Sequence, residues 1–308
     1  MIALWLLLVA AGLTASVLSG GRALTWAEDL GHKVGLAPHI IGLTIVAIGT
    51  DLPEIANSII ASAEGRGDLN VGDSTGSAAT QITLVLGILC LIRPIPVSRR
   101  FVAIAGGLTV VAFGLGALLM SNGSLSHLDG ALLVSAWIVA TIVLRYTTDV
   151  PLEVSEAPSG GAGAAVLAGK TLLALAVVAV GATVAVTAFG RVVDELGVPE
   201  YATSFLLLAF GTSLPELIVN ARAVRAGMVS LAIGGIIGAS LIDATLSLGI
   251  GPLIFPTDVS SDAAWGTLMV GGVVALAVLL LLRSKVHGRL TGVLAIGLYL
   301  VLFPVVIL

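Results

Sequence analysis

The chain repeatedly runs for about 20 residues without a charge, the length an α-helix needs to cross a bilayer. No charged side chain precedes Arg22, and residues 101–120, 171–190 and 263–282 are equally free of charge. In lipid the backbone has no water to bond, so a spanning chain must be helical or a closed barrel. Long continuous apolar runs, as opposed to short alternating ones, select helices. With 57% hydrophobic and 10% charged residues and a mean hydropathy of +1.13, the composition lies far from that of a soluble domain. The expected fold is therefore an all-α membrane protein with lipid around it. Cys90 lies alone in an apolar run, which leaves no disulfide framework and no thiolate metal site. The net charge of −4 is spread among loops without a basic stripe, so nucleic acid is not an expected partner.

The apolar runs predict ten transmembrane helices, near 1–18, 36–63, 71–92, 101–120, 128–146, 165–188, 201–224, 229–251, 263–282 and 290–308. The first lacks the basic flank of a secretory signal and is read as a retained helix. Assigning the loops to alternate faces puts all 14 Lys and Arg residues except Arg66 and Arg191 on one side. A wrong number of crossings would scramble that asymmetry, and the positive-inside rule makes the basic side cytoplasmic, with both termini extracellular. The acidic, Pro/Gly-rich stretch 147–164 then reads as a cytoplasmic linker. Without a transit peptide or a long regulatory loop, a prokaryotic cell membrane is the expected location.

Adding 162 to a position in the first half reaches its partner in the second without a gap. "GTDLPE" at 49–54 returns as "GTSLPE" at 211–216, and Gly72, Gly76, Thr83 and Gly87 return as Gly234, Gly238, Thr245 and Gly249. The copies begin five spans apart, so an odd number of crossings separates them and the second is expected upside down. The halves are thus 1–146 and 165–308, two inverted five-helix repeats.

Pro53 and Pro215 lack the N–H that would bond the carbonyls of Gly49 and Gly211, so each helix should kink or unwind there. Alone, either proline reads as an ordinary membrane-helix kink. The acids beside them change the balance. Asp51, Glu54, Glu216 and Asp243 fall inside spans whose central stretches hold no Lys or Arg, and an ionisable group there costs at least ~2.5 kcal/mol. Clustered carboxylates repel one another, so a bound cation, or protons in its absence, is the missing partner. Thr50, Glu54 and Ser58 form a stripe at i, i+4, i+8, repeated by Thr212, Glu216 and Asn220; Asp73, Ser77 and Gln81 form another, answered by Gly235, Ala239, Asp243 and Ser247. Hydroxyl, amide, carboxylate and carbonyl oxygens are hard ligands suited to Ca2+ and Na+.

"GLTIVAIGTDLPEIANSIIAS" with "VGDSTGSAATQITLVLG", and "LLLAFGTSLPELIVNARA" with "IGGIIGASLIDATLSLG", resemble the two alpha repeats of the calcium/cation antiporter superfamily, most closely prokaryotic sodium/calcium exchangers. Their motif regions here are 40–92 and 202–251. The resemblance implies the sodium/calcium exchanger fold and a central Ca2+ site flanked by Na+ sites. By position Glu54 and Glu216 would bridge these sites and bind both ions at different stages. The family's amide or acid five residues after the helix glycine falls on Gln81 and Asp243, and its hydroxyl and carbonyl ligands fall on Thr50, Ser77, Thr212, Ser213, Ala47 and Ala209. Gly76 and Gly238 are expected to allow close helix approach.

Four positions depart from the pattern: Asp51 and Ala239 replace serines, and Asp73 and Gln81 replace asparagines. Asp51 reads as a direct ligand, as a proton carrier or as a neighbour that alters Glu54's charge state. Asp73 reads equally as a cap of the third span after Gly72 or as a ligand. His32, His39, His127 and His287 are expected in loops or at a boundary, and the tryptophans as interface anchors or lipid-facing bulk.

The expected activity is secondary antiport, Ca2+ leaving as Na+ enters by alternating access. A proton/Ca2+ antiporter is the close alternative, encouraged by the extra acids. No Walker-type loop suggests ATP driving. A cation channel is a remote alternative, since channels ordinarily build a filter from oligomeric symmetry or a dedicated loop. An enzyme would need a nucleophile and base in reach, and no mid-span His supplies one. No organic cofactor is implied, and one chain holding both repeats sets no oligomeric state.

Overall fold

In a computed structural model, which describes residues 2–33, 51–147, 163–197, 199–225 and 229–307, the chain is helical apart from four two-residue bridges. The helices are α1 (Ile2–Lys33), α2 (Leu52–Ala63), α3 (Gly67–Ile92), α4 (Arg99–Asn122), α5 (His127–Thr147), α6 (Ala164–Leu196), α7 (200–212), α8 (Leu214–Arg225), α9 (229–254), α10 (Ser261–Leu282) and α11 (Arg289–Ile307). The bridges are β1 (Ile95–Pro96), β2 (Ser124–Leu125), β3 (Thr257–Asp258) and β4 (Val286–His287).

Seven helices among the described residues are long and apolar enough to cross a membrane: Ile2–Arg22 of α1, α3, α4, His127–Leu144 of α5, α6, Ala232–Ile254 of α9, and α10. Arg289–Leu302 of α11 is a shorter apolar helix. The expected second span lies largely outside the described residues, and the seventh is divided between α7 and α8 at Ser213. The first and sixth helices overrun their expected ends at 18 and 188 because nothing at Gly20–Gly21 or Arg191 stops them; α6 ends only at Gly197, whose φ is 64°.

Burial sorts these rods into layers. In α3 and in Ala232–Ile254 of α9, 78% of the spanning window is buried, against 17% in Ile2–Arg22 and 22% in His127–Leu144. The two central helices also share an irregularity: each widens into a π-helical turn, Thr80–Val85 in α3 and Asp243–Ser247 in α9. A π-turn inserts an extra residue into the helical register, leaves backbone less regularly bonded and often marks a functional site.

Small residues bring the outer pairs into contact, as expected where close backbone approach replaces the hydrophobic drive. Along α1 and α6 a Cβ on Gly12 would stand 2.5 Å from the Gly181 carbonyl oxygen, and the Ser16 hydroxyl donates to the Val178 carbonyl at 3.1 Å. Trp5 Nε1 donates to Glu195 at 2.9 Å, and Lys170 Nζ lies 5.6 Å from the Trp26 ring centre. These contacts run in opposite chain directions, so α1 and α6 are antiparallel. Trp5, expected to face the interface or lipid, is instead tied to α6.

β1 pairs with β4 and β2 with β3, both antiparallel. Gly67, at the start of α3, packs against Asp258 of β3, while α3 leads at its other end into β1, so the two small sheets cap opposite ends of the central helices. Arg99 Nη2 donates to the Arg283 carbonyl at 3.0 Å at the β1–β4 end. His287, expected to be an ordinary loop residue, is buried there, with its ring nitrogens 3.1 Å from Thr291 Oγ1 and 2.9 Å from the Leu281 carbonyl. At the β2–β3 end, Arg66 pairs with Asp194 at 3.3 Å and with Glu200. Gly65, at φ 71°, makes the turn between α2 and α3.

Candidate functional site

Each proline motif opens a helix beside an acid or a hydroxyl. Asp51 precedes α2 at φ −89°, ψ 9°, with Pro53 in the first turn. In the second half α7 ends at Thr212, Ser213 takes φ −80°, ψ 0°, and α8 begins at Leu214. Helical bonding carries on past each residue, with Leu217 N donating to the Ser213 carbonyl at 3.2 Å and Ile55 N to that of Asp51 at 3.0 Å. At Ser213 the interruption is one residue long, not an extended unwound segment.

These helix starts deliver the acids to one place. One oxygen each from Asp51, Glu54 and Glu216 lie within 4.8 Å of one another, and all three residues are buried. Asp243, at the start of the α9 π-turn, is also buried, and Glu54 feels the charges of Glu216, Asp243, Asp51 and Asp73. The carboxylate oxygens of Asp51, Glu54, Glu216 and Asp243 have no hydrogen-bond partner among the described residues. Ser247, one turn beyond Asp243, is buried as well, and its hydroxyl has no hydrogen-bond partner among the described residues. No Lys or Arg is buried among the described residues to neutralise them. Removing ionised carboxylates from water without a counter-charge costs several kcal/mol each, so this arrangement is balanced either by a bound cation or by protons on the acids.

Around the acids stands a network of neutral oxygens. The Thr212 hydroxyl lies 3.0 Å from Asp73 Oδ1, 3.0 Å from Ser77 Oγ and 3.1 Å from the Ala209 carbonyl oxygen. The Ser77 hydroxyl also reaches that carbonyl at 3.4 Å. Ser213 is buried, and its hydroxyl has no partner among the described residues. In the α3 π-turn, Gln81 Oε1 accepts from the Ser240 hydroxyl at 3.1 Å, while its Nε2 has no such partner. Of the expected site residues, Ala47 and Thr50 lie outside the described residues.

Three sequence expectations need revising. Asp73 does not cap α3, because that helix starts at Gly67; it lies deep in the bundle and accepts from Asn57 Nδ2 and the Thr212 hydroxyl. Ser58, on the Glu54 stripe, has its oxygen engaged by the Gly251 N–H at 3.1 Å and so ties α2 to α9. Gly76 permits close approach, since a Cβ there would stand 2.5 Å from the Phe205 carbonyl oxygen, whereas at Gly238 it would meet nothing within 4 Å among the described residues. Asn57 and Ser240 escaped notice. Asn57 stands at i+3 from Glu54, so a search for i+3 as well as i+4 polar spacing finds it; Ser240 follows Ala239 and has no counterpart at Ala78 to betray it.

Comparison with known proteins follows the same two-part layout. The profile of the sodium/calcium exchanger protein family matches residues 4–146 and again 166–308. The inner membrane protein YrbG of Escherichia coli (strain K12) is 32% identical over 306 residues, covering 96% of this chain and 94% of its own. The sodium/calcium exchanger MaX1 of Methanosarcina acetivorans is 25% identical over 298 residues, covering 83% and 84%. Among solved structures, the sodium-calcium exchanger NCX_Mj soaked with 100 mM Na+ and 10 mM Sr2+ superposes with a TM-score of 0.63 at 25% identity, over 98% of both chains. A helical membrane bundle with a buried acid cluster, matched by one profile in both halves, belongs to the sodium/calcium exchanger family of cation antiporters.

Proposed function

We propose that the chain exports Ca2+ in exchange for Na+ by alternating access. The observation that carries this reading is the carboxylate group of Asp51, Glu54 and Glu216, buried and within 4.8 Å of one another, with no partner for their oxygens and no buried cationic side chain among the described residues. With Asp243, Gln81, Ser77, Thr212, Ser213 and the Ala209 carbonyl, they offer the all-oxygen shell that Ca2+ favours and Na+ also accepts. Thr50 and the Ala47 carbonyl complete the proposed set. Exchange follows from competition: when either ion can neutralise Glu54 and Glu216 but both cannot together, each must leave before the other enters.

The architecture we infer is ten spans in two inverted halves, 1–146 and 165–308, joined by a cytoplasmic linker at 147–164. It is supported by the 162-residue offset that relates α2 to α8, α4 to α10 and α5 to α11 at their first residues. The antiparallel pairing of α1 with its counterpart α6 supports inversion, as do the two sheets: the offset carries the Ile95–His287 pairing onto Thr257–Leu125. Basic residues on the β1–β4 loops favour that end as cytoplasmic, with both termini outside in a cell membrane.

Proton/Ca2+ antiport is the second reading, favoured by Asp51 and Asp73, acids in excess of the family pattern. Purified protein in Na+-loaded liposomes, given an outward Na+ gradient or a pH gradient in separate runs, distinguishes them by radioactive Ca2+ uptake. Sodium-driven uptake indifferent to the pH gradient is the expected result. Uptake driven only by the pH gradient would replace it with the proton reading.

A further inference from the structure

Asp73 differs from every other buried acid of the core. Its Oδ2 accepts from Asn57 Nδ2 at 3.0 Å and its Oδ1 from the Thr212 hydroxyl at 3.0 Å, while Asp51, Glu54, Glu216 and Asp243 have no such bonds among the described residues. The contact joins α3 of the first half to the last residue of α7 in the second, beside the helix break at Ser213.

Thr212 has one proton and several oxygens competing for it: Asp73 Oδ1, Ser77 Oγ, the Ala209 carbonyl at 3.1 Å and the Leu208 carbonyl at 3.3 Å. A carboxylate oxygen is the strongest of these acceptors, because a charge-assisted hydrogen bond is about twice as strong as a neutral one. Donation to Asp73 leaves the Thr212 lone pairs facing away from it and releases the Ala209 carbonyl from Thr212. The Asn57 amide holds the carboxylate in that orientation from its other oxygen. When ionised, the same carboxylate sets a negative charge one hydrogen bond behind Thr212 Oγ1, which itself contacts Ser77 Oγ and the Ala209 carbonyl.

We propose that Asp73 is a positioning and specificity-determining residue that, through Thr212, biases the Ser77, Thr212 and Ala209 oxygens toward a divalent over a monovalent cation. This rests on the reading that those oxygens bind the transported ions. Coulomb attraction scales with the charge of the cation, so Asp73 stabilises Ca2+ at a given place by twice the free energy it gives Na+. A purely structural residue carries no such ratio.

Asp73→Asn isolates the charge. Its Oδ1 can still accept from Thr212, and once the Asn57 amide turns over its Nδ2 can donate to Asn57 Oδ1, which has no partner among the described residues in the wild type. The experiment measures half-saturating Ca2+ and half-saturating Na+ for full-length wild type and D73N in liposomes. A ~10-fold rise for Ca2+ with a ~3-fold rise for Na+, the square root of the first, is expected, with the effect on half-saturation and not on maximal rate. Equal shifts for both ions, a loss of maximal rate alone or no change would overturn the proposal. Should D73N fail to assemble, Asp73→Ser keeps an oxygen toward Thr212 and reads the same ratio. Wild-type protein that moves no Ca2+ under either gradient would instead sink the exchanger reading on which the proposal stands.

Discussion

The two halves of the chain share a scaffold and differ in chemistry. Each presents a proline in the first turn of a helix, a glutamate one residue later, and a central helix that widens into a π-turn. Yet Asp51 faces the core where the second half has Ser213, Asp73 answers Gly235, Ser77 answers Ala239 and Gln81 answers Asp243. Three acids therefore come from the first half and two from the second. Duplication supplied the proline–glutamate helix start twice, while individual substitutions distributed charge between the copies. The shared elements should be indispensable in both halves, and the unshared ones should tune.

The sharpest break of this comparison is at the shared glutamates. Glu54→Gln and Glu216→Gln keep volume and remove charge, and each should reduce Na+-driven Ca2+ uptake at least ~100-fold, about 2.7 kcal/mol of lost stabilisation. Uptake normalised to folded protein measures it. A near-normal rate in either variant would show that the two copies do not contribute alike.

Much of this core was legible in the sequence because a charge in an apolar run is conspicuous: Asp51, Glu54, Glu216 and Asp243 announce themselves, all four are buried, and the first three converge within 4.8 Å. Relations across the halves were not. Thr212 and Asp73 are 139 residues apart, and no spacing rule links them, so Asp73 read as a possible cap. The π-turns were also hidden, since one extra residue in the hydrogen-bond register leaves no compositional mark. Helix ends such as those of α1 and α6 failed for another reason: hydropathy falls at the membrane boundary, but the helix continues into its neighbour's contacts.

A milder test makes the halves alike where they differ. Asp51→Ser installs the residue that the second half carries at Ser213 and removes one of three carboxylates lying within 4.8 Å of one another. Half-saturating Ca2+ should rise ~10-fold, about 1.4 kcal/mol, with exchange retained because Glu54 and Glu216 remain. If half-saturation for both Ca2+ and Na+ is unmoved, Asp51 is no ligand, and the unequal charge of the halves lies elsewhere.

The smallest effect is expected away from the core, where Arg66 has Met228 as its counterpart. Arg66 binds the Gly190 carbonyl and Asp194, each at 3.3 Å, as well as Glu200, tying the α2–α3 turn to the end of α6 and the start of α7. Arg66→Met imposes the second half's residue. Because the arginine is 21% exposed and Asp194 is 54% exposed, solvent screening limits the expected loss to ~1 kcal/mol. Burial lifts the Glu200 carboxyl above the ordinary glutamate range, and Arg66 draws it back down. Without the arginine, Glu200 should titrate higher in the folded state, so keeping it ionised costs stability at neutral pH and that cost fades as pH falls through its raised value. Thermal unfolding in detergent should therefore show a deficit that narrows with acid and with salt. A deficit independent of both would assign Arg66 to packing against Gly190, and the difference between the halves at this end would then be steric instead of electrostatic.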